Sequence, residues 1–319
     1  MTTLSNKPND LNNPNEPNKP NATIGTGNGT NTNNHTHASA AQLHAAVYGQ
    51  AVGDALGVPY EFSPRDTFTC TNMTGYGSHH QPAGTWSDDT AMMLATLDSL
   101  ADHEGRVDTA DMLAKYRAWI THGEYTPDGT VFDVGGTTSR ALASGRGGTR
   151  ERDNGNGSLM RILPLAFTDC SDDDVRRASA VTHAHEISTE ACVRFVHVAR
   201  LLIQHGRDCS DAALCRVAGL PNDLSDRSRD EIPSGGFVLD TLQAAMWCLL
   251  TTDDYRGCVL AAVNLGSDTD TTAAVAGGLA GLMYGDDGNP WEHEMRNTAL
   301  LESLIAKAAD SLPTLRSRS

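Results

Sequence analysis

Residues 271–285 read TTAAVAGGLAGLMYG, a helical run that is apolar around its whole circumference and built largely from Ala and Gly. Such a helix has no face to give to solvent, so it belongs at the centre of a fold, where its small side chains let neighbouring helices come close. The rest of the chain supplies the neighbours. Helical periodicity with Ala- and Leu-rich faces recurs over 41–57, 90–103, 110–123, 188–206, 237–252, 254–266 and 297–312. Alternating runs of β-branched or aromatic residues are nearly absent. The sequence therefore predicts an all-α fold, a compact multi-helix domain over 41–315 with negligible strand and no solenoid repeat.

Residues 1–40 are of another kind, rich in Asn, Pro, Thr and Gly, with too few apolar side chains to offset the entropy of ordering them. They read as a disordered tail. That tail lacks the basic start and apolar stretch of a secretory signal, and no apolar run elsewhere reaches the ~20 residues that span a bilayer, so a cytoplasmic protein is expected. A net charge of −16 argues against non-specific nucleic-acid binding, which rests on Lys and Arg neutralising phosphates. Seven cysteines without a CxxC pair fit reduced thiols. The oligomeric state is not legible.

Two clusters carry the chemistry: Gly84-Thr85-Trp86-Ser87-Asp88-Asp89-Thr90 and Gly266-Ser267-Asp268-Thr269-Asp270-Thr271-Thr272, each opening a helix. Asp, Ser and Thr ordinarily cap helices there. A cap needs one side-chain oxygen, however, and each cluster offers two carboxylates and several hydroxyls. Packed together, the carboxylates repel, and a divalent cation reverses the sign of that interaction. The donors are oxygens with neither sulfur nor an evident imidazole, which suits Mg²⁺ or Mn²⁺, Ca²⁺ less, and disfavours zinc. Asp88, Asp89, Asp268 and Asp270 carry enough charge for two such cations if they converge. The long Gly-containing loops at 63–87 and 145–158 are candidate binding loops. His79 and His80, in the first of them, read as a solvated surface pair.

The segments GQAVGDALGVPYE, TWSDDTAM, GNGSLMRILPLA, THAHE and GSDTDTTAAVAGGLAG, in this order over roughly 41–285, resemble the ADP-ribosylglycohydrolase family. The resemblance implies an all-α fold, a binuclear Mg²⁺ or Mn²⁺ site, and hydrolysis at C1 of the ribose through which ADP-ribose is attached to an acceptor. It implies Ser87, Asp88, Asp89, Asp268, Asp270 and Thr271 as metal ligands, with Ser87 where many relatives have Thr. Glu61 falls where the family has a glutamate touching the metal centre. Asn154, Gly155, Asn156, Gly157 and Ser158 would bind substrate, the glycines letting backbone N–H groups approach a pyrophosphate, with His183 beside the nucleotide.

Asp133 matches an aspartate near the scissile bond, although the usual Gly-Asn-Thr-Thr wording is Gly-Gly-Thr-Thr here; a helix cap near Thr137 is its other reading. Arg161 could serve a phosphate or a structural salt bridge. Glu61 and Asp133 are the candidate catalytic pair, one taking a proton from water and the other stabilising the oxocarbenium charge. The substrate expected is an ADP-ribosylated protein, on arginine or serine, or a small ADP-ribosyl conjugate. The alternatives are a non-catalytic ADP-ribose binder or structural member of the family, and a Mg²⁺-dependent pyrophosphohydrolase.

Overall fold

The computed structural model describes residues 38–285 and 289–316, so nearly all of the 1–40 segment lies outside the described residues. Among the described residues there are eleven α-helices and no sheet, only three isolated bridge pairs. In chain order they are α1 (Ala40–Gly57), α2 (Asp88–Asp102), α3 (Thr109–His122), α4 (Gly136–Ser144), α5 (Asp172–Ala180), α6 (Glu186–His205), α7 (Asp211–Ala218), α8 (Val238–Leu250), α9 (Tyr255–Val263), α10 (Thr269–Tyr284) and α11 (Thr298–Ser311). The all-α reading holds. The periodicity does not predict α4, α5 or α7. All three are short, and each buries only three residues: Thr138, Ala141 and Leu142 on α4, Val175, Ala178 and Ser179 on α5, and Leu214, Cys215 and Ala218 on α7.

The local signals for these helices are physical ones. Ser39 opens α1 with a capping box, its hydroxyl accepting from Gln42 N at 3.1 Å while Gln42 Oε1 accepts from Ser39 N at 2.9 Å. Asp108 caps α3, which stops at Gly123 with φ of 72°. All seven cysteines are free thiols. No helix among the described residues is long and apolar enough to cross a membrane.

The fold is organised around α1 and α10, which share the largest helix–helix interface and lie almost entirely in the interior. Glycines make the interface possible. A Cβ at Gly49 would strike the carbonyl of Gly277, one at Gly53 the carbonyl of Ala273, and one at Gly57 the backbone of Asp270. From the other side, Cβ atoms at Gly277 and Gly281 would strike the carbonyls of Gly49 and Ala45. The two backbones touch, and bonds from neighbouring side chains lock them: Tyr255 Oη donates to Gly49 O and Thr269 Oγ1 to Gly57 O, each at 2.8 Å. The acidic start of α10 is thereby pressed against the C-terminal end of α1.

At the far end of α2, Asp98 ties three elements together. Its carboxylate accepts from Lys115 Nζ on α3 at 2.7 Å, Lys307 Nζ on α11 at 2.6 Å and Tyr125 Oη at 2.7 Å. This is the ordinary way to bury a carboxylate, with cations and donors around it.

Because the α1–α10 contact is backbone on backbone, it cannot yield to a larger side chain by rotamer change. Replacing Gly53 with Leu is expected to cost about 3 kcal/mol or more by overpacking, read as a lowered thermal midpoint. The same substitution at Gly129, where a Cβ meets nothing within 4 Å, tests only its φ of 85° and should cost less.

Candidate active site

The α2 start is built by residues from two helices. Ser87 is its N-cap: the hydroxyl accepts from Asp89 N at 3.3 Å and donates to Asp89 Oδ2 at 3.0 Å. Asp54, projecting from α1, accepts from Ser87 N at 3.0 and 3.1 Å, from Thr90 N at 3.0 Å and from Thr90 Oγ1 at 2.6 Å. Capping is thus complete without Asp88 or Asp89, whose carboxylates are surplus to it. Buried Gln50 adds a second strut from α1, donating to Met160 O at 2.7 Å and Asp89 O at 3.4 Å.

The α10 start departs further from ordinary capping. Asp268 occupies the N-cap position yet makes no capping bond; its Oδ2 accepts from Asn156 Nδ2 at 2.8 Å. Thr271 Oγ1 approaches Asp89 Oδ2 at 3.4 Å, joining clusters that lie 182 positions apart in the chain. Asp89 and Asp270 are fully buried and Asp88 nearly so. The convergence that the two clusters require is present.

Two groupings of donors result. Asp54, Asp89 and Asp270 offer atoms within 4.8 Å of one another, and so do Glu61, His79, Asp133 and Asp270. Asp270 belongs to both. Within these two aspartate clusters, three buried carboxylate oxygens, Asp89 Oδ1, Asp268 Oδ1 and Asp270 Oδ2, have no hydrogen-bond partner among the described residues. Orphaned anionic oxygens in a buried, oxygen-rich pocket are what a hard divalent cation would satisfy, so the residues fit such an ion.

His79 corrects the reading from sequence. It is half-buried, not a solvated surface residue: its Nε2 bonds Glu61 Oε2, and its ring lies 5.1 Å from that of Phe132 and 5.8 Å from that of Phe62. The turn that carries it also holds the backbone, with Ser78 Oγ donating to Glu61 O at 2.5 Å. The cluster therefore contains an imidazole that the sequence reading left out. Asp54 was likewise missed as a site residue, although an acid in the otherwise apolar GQAVGDALG helix was a legible signal.

The carboxylates face a cleft of about 390 Å³. Glu61, Asp88, Asp133, Asp268 and Thr271 line one part, and Thr138, Gly155, Asn156, Gly157 and His183 another. Asp133 holds a left-handed backbone, φ 54°, in the stretch leading to α4. A Cβ at Gly157 would collide with the His183 ring, so glycine there makes room for the imidazole. Thr182 Oγ1 accepts from Arg161 Nη1 and sits 2.8 Å from His183 Nδ1. The buried hydroxyl finds no acceptor for its own hydrogen among the described residues other than Nδ1, so it donates there, which leaves the proton on Nε2.

Three other predicted residues do not reach the cleft through their side chains. Asn154 accepts from Ser188 Oγ and donates to Glu151 O, both at 2.9 Å, and Ser158 Oγ accepts from Ser179 Oγ at 2.9 Å; both are buried in packing. The 154–158 segment is also less of a loop than expected, because a 3₁₀ turn begins at Asn156 and runs to Arg161. Arg161 is fully buried and takes neither expected role, donating instead to Thr182 Oγ1, Tyr116 Oη and the carbonyls of Ala178 and Ser179.

Burial dominates the electrostatics. It pushes the Asp54 carboxyl up to about 6 and that of Glu61 to about 7, and it raises Asp88, Asp89, Asp133, Asp268 and Asp270 as well, with mutual repulsion adding to several. Among the described residues, the one ion pair made by this set is Glu61 with His79. Burial has the opposite effect on His183, lowering it to about 3 and keeping its imidazole neutral.

The family model described as ADP-ribosylglycohydrolase matches residues 35–318. ADP-ribosylarginine hydrolase Tri1 of Serratia proteamaculans is 34% identical over 77% of this chain and 73% of its own length. ADP-ribosyl-[dinitrogen reductase] glycohydrolase of Rhodospirillum rubrum is 32% identical over 85% of this chain and 95% of its own. A solved structure titled "ADP-ribosylglycohydrolase-related protein complex" superposes with a TM-score of 0.72 at 30% identity, covering 85% of this chain and 98% of that one. With residues 35–318 matched and both aspartate clusters converging on one cleft, the chain belongs to the ADP-ribosylglycohydrolase family of hydrolases.

Proposed function

We propose that the protein hydrolyses the glycosidic bond joining ADP-ribose to an arginine side chain of a modified protein, with two divalent cations, Mg²⁺ or Mn²⁺, as cofactors. The observation that carries the reading is the meeting of the α2 and α10 aspartates around orphaned carboxylate oxygens, in a cleft that also presents Gly155, Gly157 and His183. Arginine is preferred over serine because two relatives, 34% and 32% identical, are named ADP-ribosylarginine hydrolases. An acidic cleft also suits a departing guanidinium.

Ser87, Asp88, Asp89, Asp268, Asp270 and Thr271 are the proposed metal ligands. Bound cations would neutralise these carboxylates and supply the Lewis acidity that orients ribose hydroxyls and makes water more acidic. The chain does the rest. Glu61, held by His79 and with a carboxyl raised to about 7, takes the proton from the attacking water at its carboxylate oxygen. Asp133, across the cluster, stabilises positive charge developing on the ribose ring. The backbone at Gly155 and Gly157 admits the diphosphate, Asn156 ties that segment to Asp268, and the neutral His183 donates from Nε2.

Incubation of ADP-ribosylarginine with the protein and Mg²⁺ or Mn²⁺ is expected to give free ADP-ribose and arginine; AMP and arginine still carrying ribose 5-phosphate would instead identify a pyrophosphohydrolase. Asp270→Ala should lose at least about a hundredfold in kcat, more than removal of an outer-sphere partner costs, while keeping its helical circular dichroism. His183→Ala should raise KM more than it lowers kcat.

The raised carboxyls also make stability depend on pH. A carboxyl whose pKa is higher folded than unfolded stabilises the fold at low pH, and that contribution is lost as pH rises through the folded value, here about 6 for Asp54 and about 7 for Glu61. His183 acts oppositely, but above pH 6.5 it is neutral in both states. Seven raised carboxyls outweigh that one imidazole, so the thermal midpoint of EDTA-treated protein should fall as pH rises from about 5 to about 7.5, and saturating Mg²⁺ should raise it most at the alkaline end of that range. A flat metal-free profile would remove the carboxylate cluster as the source.

A further inference from the structure

Beside the acidic cleft lies a surface of opposite charge. Arg140, Arg146, Arg150 and Arg152 are all exposed, within one short segment of a chain whose net charge is −16. The segment is held in a fixed shape. Gly148 N donates to Thr182 O at 2.8 Å, and Gly148 O accepts from Ala184 N at 2.7 Å. Beneath it, Asp153, 1% exposed, accepts from Arg140 Nη2 at 3.0 Å, from Arg150 Nε at 2.8 Å and from Arg150 Nη2 at 3.0 Å. One carboxylate thus anchors two guanidiniums and leaves net positive charge.

The anchored arginines keep donors to spare: Arg140 Nε and Nη1 and Arg150 Nη1 have no partner among the described residues, and Arg146 and Arg152 make no ion pair there. Arg140, Arg150 and Arg152 line a basin of about 500 Å³ with Gly136 and Thr137, and those last two residues also line the cleft. The basin is therefore continuous with the cleft wall. Anything docked in it lies alongside the group being cleaved.

We infer that this arginine basin docks an acidic segment of the modified protein, flanking the ADP-ribosylated residue in its sequence or on its surface. The inference rests on the proposed function. A protein substrate must bring the surface around its modified side chain to the cleft rim, and most of this enzyme's surface repels an acidic partner. The basin is where that repulsion reverses, and guanidinium forks pair bidentately with carboxylates. Charge at a rim acts mainly on encounter and orientation, so the effect belongs in kcat/KM and in salt dependence.

The test compares free ADP-ribosylarginine with two ADP-ribosylarginine peptides, one flanked by Asp and Glu and one by Ser and Gly. The enzymes are wild type and the variant Arg152→Glu, which reverses a charge lining the basin and spares the Asp153 anchor. At low salt the wild type should favour the acidic-flanked peptide by about five- to tenfold in kcat/KM. The Arg152→Glu variant should lose that preference, as should the wild type at high salt, while turnover of free ADP-ribosylarginine and the thermal midpoint stay unchanged. No flank preference overturns the inference. An equal loss on free ADP-ribosylarginine overturns it too, by assigning the basin to the diphosphate of the ligand itself. If the wild type hydrolyses none of the three, the functional reading fails separately, and fluorescence anisotropy of the labelled acidic-flanked conjugate against the Ser/Gly-flanked one still decides the surface.

Discussion

The backbone contact between α1 and α10 is what the rest of the structure depends on. Helices with ordinary side chains pack about 8–10 Å apart. Here Gly49, Gly53 and Gly57 on one helix and Gly277 and Gly281 on the other remove the side chains that would hold them at that distance. The site follows from this closeness. Asp54 leaves α1 to cap α2, Gly57 lies against the backbone of Asp270, and Gln50 reaches the Asp89 carbonyl. Two helix starts that are distant in sequence are thus set on one spot by helices too close to slide.

The protein buries carboxylates in two ways, and the contrast separates structure from function. Asp98 is surrounded by Lys115, Lys307 and Tyr125, every charge matched within the chain. Asp89 and Asp270 are buried as deeply, yet each keeps an oxygen without a partner, and neither meets a Lys or Arg among the described residues. A fold retains such an arrangement at a cost to its own stability. Beside it Arg140, Arg150 and Arg152 give the cleft a second, basic wall, so one entrance carries acidic side chains on one side and basic ones on the other.

Much of this was legible in the chain. The eight helices with strong periodicity appear within about two residues of their expected bounds at most ends, because their apolar faces repeat at 3.6 residues over many turns. Helices α4, α5 and α7 were not, since each turns so little apolar surface inward that a short window carries hardly any period. Within the site, the paired acids were visible because a cap uses one oxygen and each cluster has several. His79 was not visible. It stands in a Gly-containing loop where nothing local distinguishes a ligand from a surface histidine, and only the fold brings it to Glu61.

The sequence by itself determined the all-α class, the central position of the 271–285 helix and the oxygen character of the site, because those follow from side-chain volume, periodicity and donor type. Tertiary structure alone decided which side chains face the cleft. It turned Asn154 and Ser158 inward, committed Arg161 to backbone carbonyls, brought in Asp54 and His79, and set an arginine basin beside the acids. Direction and neighbourhood are properties of packed helices, and packing joins residues through distances that no spacing along the chain encodes.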